Sequence, residues 1–253
     1  MLPNNDISFQ LYSINRFSDP LDTQFAALKS LGYTDVQPYG KQYADPAGTR
    51  RLLDAHGLTA KSGHFDLMMI ENEFDKVVAI AHTLGMNLVV APYLQPHERP
   101  TDLDGWKRAG AMLQRQTRRC AEAGLGYGWH NHDFEYQQLP DGSYPIEWLL
   151  GDEVPFEIDV AWTVRAGADP KRWIEHYKGR IPAVHVKDIA PARDLSIEGG
   201  WADVGHGIVD WDSLWDLTVS AGSQLMIVEH DAPKDYVQSA RRSIESIKRL
   251  AGV

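Results

Sequence analysis

A chain of 253 residues carries 25 Lys and Arg against 35 Asp and Glu, a formal net charge of −10, and a single cysteine, Cys120. The acidic balance argues against a nucleic-acid partner, whose phosphates must be neutralised by Lys and Arg, and one cysteine excludes an intramolecular disulfide and a zinc site of paired thiolates. Met1–Asp6 shows no basic region followed by an apolar run, and no stretch of about 18 apolar residues occurs, so a soluble cytoplasmic protein without membrane contact is expected.

Short β-rich apolar runs then alternate with amphipathic patterns along the whole chain. In order, strands are predicted at Ile7–Ile14, Asp35–Tyr39, Thr59–Phe65 and Asn87–Leu94, separated by helices at Leu21–Leu31, Pro46–His56 and Glu73–Leu84. A long helix, Leu103–Ala123, leads to a fifth strand, Gly126–His132. Pro145–Leu150 leads to Pro155–Trp162, Pro170–Lys178 to Ile181–Ile189 and Trp211–Ser220 to Gln224–Asp231, with a last helix at Pro233–Leu250. Glycines such as Gly57 and Gly85 mark helix stops, where a left-handed residue ends the last turn.

A strand returns to the same direction in one sheet only through a crossover, so this repetition implies parallel strands. Eight units, about 250 residues in all, and no G-x-G-x-x-G after the first strand predict a single-domain α/β protein, a (β/α)₈ TIM barrel over residues 1–253, rather than an open doubly wound sheet. The connection Ala190–Asp210 follows the seventh strand and contains Gly199, Gly200, Gly205 and Gly207. At that length and place it is expected to cover substrate at the barrel mouth.

Barrel active sites gather at the carboxyl ends of the strands. There the sequence places His64, His130 with His132, Glu157 with Asp159, His185 with Lys187 and Asp188, and Glu229 with His230 and Asp231. Carboxylates at the ends of apolar strands are expensive to desolvate unless paired or bound to a cation. Several arriving together with imidazoles, and no thiolate, point to one divalent metal: Mn²⁺ is preferred, and Mg²⁺, Co²⁺ or Zn²⁺ would also suit. Ordinary roles compete. Glu157, one layer below Asp159 on the same face, fits a buried partner of a ligand as well as a ligand; Asp188 fits a turn cap, and Asp231 a cap for the last helix. Lys187 fits either a substrate contact or a salt bridge to Asp188 or Asp159. Of the eight tryptophans, Trp162 and Trp201 are placed near the site.

At these residues the sequence resembles the sugar-phosphate isomerase/epimerase family of xylose-isomerase-like TIM barrels, over nearly the whole chain. The carriers are GWHNHDFEY at Gly128–Tyr136, FEIDVAW at Phe156–Trp162, HVKD at His185–Asp188, DVGHGIVDW at Asp203–Trp211 and IVEHD at Ile227–Asp231. The resemblance implies metal ligands at Asp159, His185 and Glu229, and a strand-five ligand that is usually Glu. Here His130 holds that position; His132, on the same face, and Glu135, in the loop, are the other candidates. The H-N-H run is most similar to the branch of inosose dehydratases and enzymes of 3-keto-sugars or 3-keto-glycosides. The implied chemistry is isomerisation, epimerisation or dehydration through proton abstraction beside a carbonyl and a metal-stabilised enediolate, with Glu229 as base and His132 or Glu135 as its acid/base partner. His64, Trp162, Lys187 and Trp201 would contact the sugar, and Lys187, Arg193 and the loop glycines are the available anion contacts. In so acidic a protein a neutral keto-sugar or keto-glycoside is favoured over a phosphorylated one. The resemblance also admits a homo-oligomer, a relative that binds sugar or metal without turnover, and an endonuclease IV-type AP endonuclease, which the missing basic face and Gln37 at the end of strand two disfavour.

Overall fold

The computed structural model describes residues 6–191 and 198–252. Eight parallel strands form one sheet: β1 (Asp6–Gln10), β2 (Asp35–Gln37), β3 (Ser62–His64), β4 (Leu88–Ala91), β5 (Gly126–His130), β6 (Phe156–Asp159), β7 (Ala183–Val186) and β8 (Leu225–Val228). Their order around the sheet is β2-β1-β8-β7-β6-β5-β4-β3. The ring closes between β2 and β3 through a parallel bridge from Asp35 to Thr59 and the bonds Val36 N–H to Thr59 O and His64 N–H to Pro38 O, both 2.9 Å. The chain is thus a single-domain, nearly closed parallel barrel with helices outside, as the strand count predicts.

Helix boundaries follow local chemistry. Leu21–Leu31, Pro46–His56, Pro145–Leu150 and Trp211–Ser220 are helices with the predicted limits. Pro46 occupies the first turn, where a missing N–H is harmless, while Asp45 caps Gly48 N–H and Gly57 ends the helix at φ +59°. Strands are shorter than predicted, for a shared reason: their last residues turn to other work. After Gln10 the chain enters a 3₁₀ helix, Leu11–Ile14, begun by the Gln10 side chain accepting from Tyr12 N–H. After Asp159 it enters a helix, Val160–Arg165, begun by the Asp159 carboxylate accepting from Trp162 N–H. The predicted strand Ile181–Ile189 is two pieces: β7 belongs to the barrel, whereas Asp188–Ile189 pairs antiparallel with Trp201–Ala202. The loop expected to lack structure therefore contains a short ribbon; Arg193 lies outside the described residues.

The main core lies between strands and helices, around Phe9, Leu53, Val89, Trp129, Ile158 and Val184. Inside the barrel a separate and much smaller apolar set, Leu88, Val90, Ala183, Leu225 and Ile227, forms the floor. Other inward positions are polar and buried: Ser8, Gln10, Gln37, Ser62, His64, Glu157, Asp159 and His185. This departs from the aliphatic layers expected of a barrel interior, and it creates the site.

Candidate metal centre and active site

Alternation along each strand decides which side chains meet. β6 and β7 align Asp159 with His185, and β5 and β6 align His130 with Glu157. Glu229 follows β8, its N–H bonded to Val186 O at 3.2 Å. The structure so brings together His130, Asp159, His185 and Glu229, with one donor atom of each within 4.8 Å of the others. His64, His130, Glu157 and His185 form an overlapping group of the same compactness.

The two groups differ in what their oxygens already do. Glu157 Oε2 accepts from Gln37 Nε2 at 2.7 Å, and Oε1 meets His64 Nε2 at 2.6 Å and His185 Nε2 at 3.0 Å. Burial alone would raise this carboxyl, but His185 and His64 outweigh that and hold it well below its usual range. Glu157 is saturated, in the manner of a carboxylate that orients imidazole ligands. Asp159 is different. Its Oδ1 caps Trp162 N–H, while Oδ2 is buried with no hydrogen bond and only a 3.7 Å approach from Lys187 Nζ. Burial pushes Asp159 up to about 7 despite Lys187. A buried, unbonded carboxylate oxygen between two imidazoles and a second carboxylate fits a divalent cation, and hard oxygen with borderline nitrogen donors suits Mn²⁺ or Zn²⁺.

Charge is balanced around His185. Its Nδ1 lies 3.0 Å from Glu229 Oε2 and its Nε2 2.8 Å from Gln37 Oε1. Burial favours the neutral ring, yet Glu157 and Glu229 on either side raise His185 to about 10. His130 goes the other way, down to about 3, because burial and then the charged His185 oppose protonation. Lys187 is fully buried among three carboxylates: Asp231 Oδ1 at 2.5 Å, Glu229 Oε2 at 3.3 Å and Asp159. Its ammonium also lies 4.1 Å from the Trp201 ring centroid and 5.2 Å from that of Trp162. Lys187 therefore pairs with Asp159, as one reading of the sequence allowed, but not with Asp188.

Asp188 caps the turn as its position suggests, whereas Asp231 does not take the expected place at the last helix. Asp188 gathers the N–H groups of Ile189, Gly205, Gly207 and Val209, pinning the D-V-G-H-G loop behind the site. A Cβ on Gly207 would overlap the Asp188 carboxylate, so that residue must be glycine. Asp231 does not cap the last helix; Asp235 does, accepting from Val237 and Gln238 N–H, and Asp231 is left for Lys187.

The remaining strand-five candidates also separate. His132 stands at the mouth against His130, Tyr93 and Trp162, with ring centroids 5.1, 4.7 and 5.0 Å away. Its Nδ1 is buried without a partner, and burial with neighbouring His130 keeps the ring neutral. Glu135 is not brought into the cluster. Its oxygens accept from Trp129 Nε1 at 3.1 Å and His132 N–H at 2.9 Å, and Trp129, adjacent to His130 in β5, belongs to the outer core. Burial pushes Glu135 up to about 8. Trp162 and Trp201 meet edge to face at 4.7 Å beside Lys187. The sequence reading passed over Gln10, which lies 2.5 Å from Gln37 Oε1 and 3.2 Å from His64 Nδ1, and Asn131, which holds Asp159 N–H at 2.8 Å. Alternation from Ser8 puts Gln10 inside the barrel; nothing local marks Asn131.

A closed parallel barrel with a convergent His/Asp/Glu cluster at the carboxyl ends of β5 to β8 defines the class. Residues 25–250 match the family model described as xylose isomerase-like TIM barrel, and the chain belongs to that family. It is 26% identical to the rhizopine catabolism protein MocC of Rhizobium meliloti, over 92% of this chain and 82% of that one. Among solved structures, a sugar phosphate isomerase/epimerase from Parabacteroides distasonis superposes with a TM-score of 0.81 at 22% identity, covering 98% of this chain and 94% of that one. An IolI protein with a bound zinc atom gives 0.73 at 17% identity over 97% and 96%. The 3-keto-D-glucoside 4-epimerase YcjR of E. coli gives 0.69 at 17% identity over 98% and 99%. These likenesses establish the fold. Among the described residues no helix is long and apolar enough to cross a membrane.

Proposed function

We propose that the chain is a divalent-metal-dependent isomerase or epimerase, or a dehydratase by the same opening step, acting on a neutral keto-sugar or keto-glycoside. The observation that carries this reading is the convergence of His130, Asp159, His185 and Glu229 around the unbonded Asp159 Oδ2. Those four residues would hold the ion, Mn²⁺ by preference; that the IolI protein, of the same fold, holds a zinc atom supports a metal-binding role. When bound, the ion supplies a Lewis acid for the carbonyl and neighbouring hydroxyl oxygens of the substrate.

The chain's own residues then divide the proton work. Glu229 is kept ionised: burial would raise it, but Lys187 and His185 hold it well below its usual range. Oε2 takes those two partners, and Oε1 makes no hydrogen bond among the described residues. Oε1 is the atom we assign to removing the proton beside the carbonyl. His132, with Nδ1 unpartnered, would return its ring N–H proton to the other face in an epimerase or to a leaving hydroxyl in a dehydratase, and regain a proton from solvent afterwards. Trp162 offers a half-buried ring face to sugar C–H groups, and Lys187, already shared by three carboxylates, has little charge left for a phosphate. A neutral substrate follows from that.

The test is elemental mass spectrometry of metal in protein purified without chelator, followed by deuterium uptake from D₂O into keto-sugars. Near-stoichiometric metal, lost in Asp159→Ala, and exchange slowed roughly 10²- to 10⁴-fold in Glu229→Gln are expected. A wild type that neither carries nor takes up metal refutes the mechanism and brings a non-catalytic sugar-binding role forward.

A further inference from the structure

Beside the mouth, outside the metal cluster, lies a cavity of about 550 Å³, within the range of small-molecule sites. It is walled by the first two βα units: Leu11, Ile14, Phe17 and Leu52 give an apolar side, with Tyr39 across from them. Its rim carries Asp19 and Asp45 against Lys41 and Arg51, two charges of each sign. Gln24 lines it too. That residue is 6% exposed, and its carboxamide, which makes no hydrogen bond to the protein among the described residues, keeps contact with solvent. An amide that faces a cavity and is bonded only to water can exchange that water for a ligand's hydroxyl groups. The Tyr39 hydroxyl is buried and unbonded.

One apolar wall with aromatic edges, a free planar amide and a charge-balanced polar rim match a molecule with an apolar C–H face and a hydroxylated edge. We propose that this cavity is a carbohydrate subsite that takes a neutral, hydroxylated six-membered ring. The proposal rests on the reading of the chain as a carbohydrate enzyme, and it adds a second site to it. The ring can come from two sources: the second sugar of a glycoside whose keto ring occupies the metal site, or a separate free sugar. The structure links cavity and cluster by a short path. Tyr39 packs edge-on against Tyr12 at 5.5 Å; Tyr12 N–H is held by Gln10 Oε1, and Gln10 Nε2 reaches Gln37 and His64. Tyr12, 45% exposed between the two places, is available to a glycoside that spans them.

The experiment titrates the full chain, metal-free, with maltose and with methyl α-glucoside by saturation-transfer NMR and calorimetry. Gln24→Leu is compared with wild type, and Arg51→Ala, an exposed position whose loss leaves folding intact, serves as the second variant. Both should weaken binding of the probes about tenfold, the equivalent of one lost hydrogen bond, with unchanged thermal midpoints. If the site serves the substrate's second ring, Gln24→Leu also raises KM for a keto-glycoside while leaving KM for a free keto-sugar unaltered. If it serves a free sugar, both KM values stay unaltered without added sugar. Wild type that binds neither probe up to its solubility, or variants that bind as wild type does, overturns the proposal. Because the titration needs neither metal nor turnover, loss of deuterium exchange with binding retained refutes the catalytic reading alone.

Discussion

Lys187 shows how much of this site depends on one charge. A buried ammonium facing Asp159, Glu229 and Asp231 is stable only while all its partners remain, and removing one member of such a group leaves the others buried and unbalanced. Lys187→Met should therefore lower unfolding free energy by about 3 kcal/mol. Adding Asp231→Asn should restore part of that loss, and urea melts of the double-mutant cycle would show it. Strict additivity of the two changes would mean the pair is not coupled. Asp35 makes an opposite case at the other end of the barrel. Burial, against bonds from Thr59 Oγ1 and Lys61 N–H to Oδ2, raises it from 3.8 to about 6. The folded chain thus holds this proton more tightly than the unfolded chain does. Its contribution is fully present below about pH 4 and is lost as pH rises through about 6. Asp35→Asn should add up to about 3 kcal/mol at pH 7.5 and little at pH 4, since each pH unit between 3.8 and about 6 is worth about 1.4 kcal/mol. Equal effects at both values would contradict the assignment.

At the level of elements, the ribbon and loop after β7 depend on a single carboxylate. Asp188 holds three N–H groups between Gly205 and Val209, and Trp201, on the ribbon's second strand, covers Lys187. Asp188→Ala should leave the barrel folded, with a loss of about 1–3 kcal/mol, and release residues 203–209 to fast amide exchange while β7 and β8 stay protected. Uniform loss of protection would show that the loop and barrel unfold as one unit. Helices were legible in the sequence because their limits are written in neighbouring residues: Pro46 and Gly57 bracket one, and Asp210 caps another. Strand ends were not. Whether Asp159 is a strand residue or the first cap of a helix depends on its carboxylate reaching Trp162 N–H, and whether Asp188 continues β7 depends on Trp201–Ala202 lying alongside.

For the whole molecule, metal uptake and protons should be linked. His185 is protonated up to about pH 10 between Glu157 and Glu229, and Asp159 up to about 7. Coordination requires an unprotonated nitrogen and an ionised carboxylate, so binding releases protons and weakens as pH falls. Apparent affinity should rise about tenfold per pH unit between pH 7 and 9, and more steeply below 7, where Asp159 adds its proton. Calorimetry of Mn²⁺ binding in buffers of different ionisation enthalpy measures this directly; pH-independent affinity would place the ion elsewhere.

By itself the sequence determined the eightfold βα alternation, the limits of four helices and the residue types available at the strand ends, because periodicity and capping act over a few residues. Alternation and strand ends marked a wider set of candidates there, and the family resemblance narrowed it to Asp159, His185 and Glu229, with His130, His132 or Glu135 as the fourth ligand. Only the tertiary structure decided what those side chains meet. His185 finds Gln37 148 positions away and Glu229 44 positions away. Glu157 becomes a saturated partner while Asp159 keeps an oxygen free, and Glu135 turns away to Trp129. Such choices are set by barrel closure and by the high cost of leaving a buried charge unpaired, and neither quantity is local in the chain.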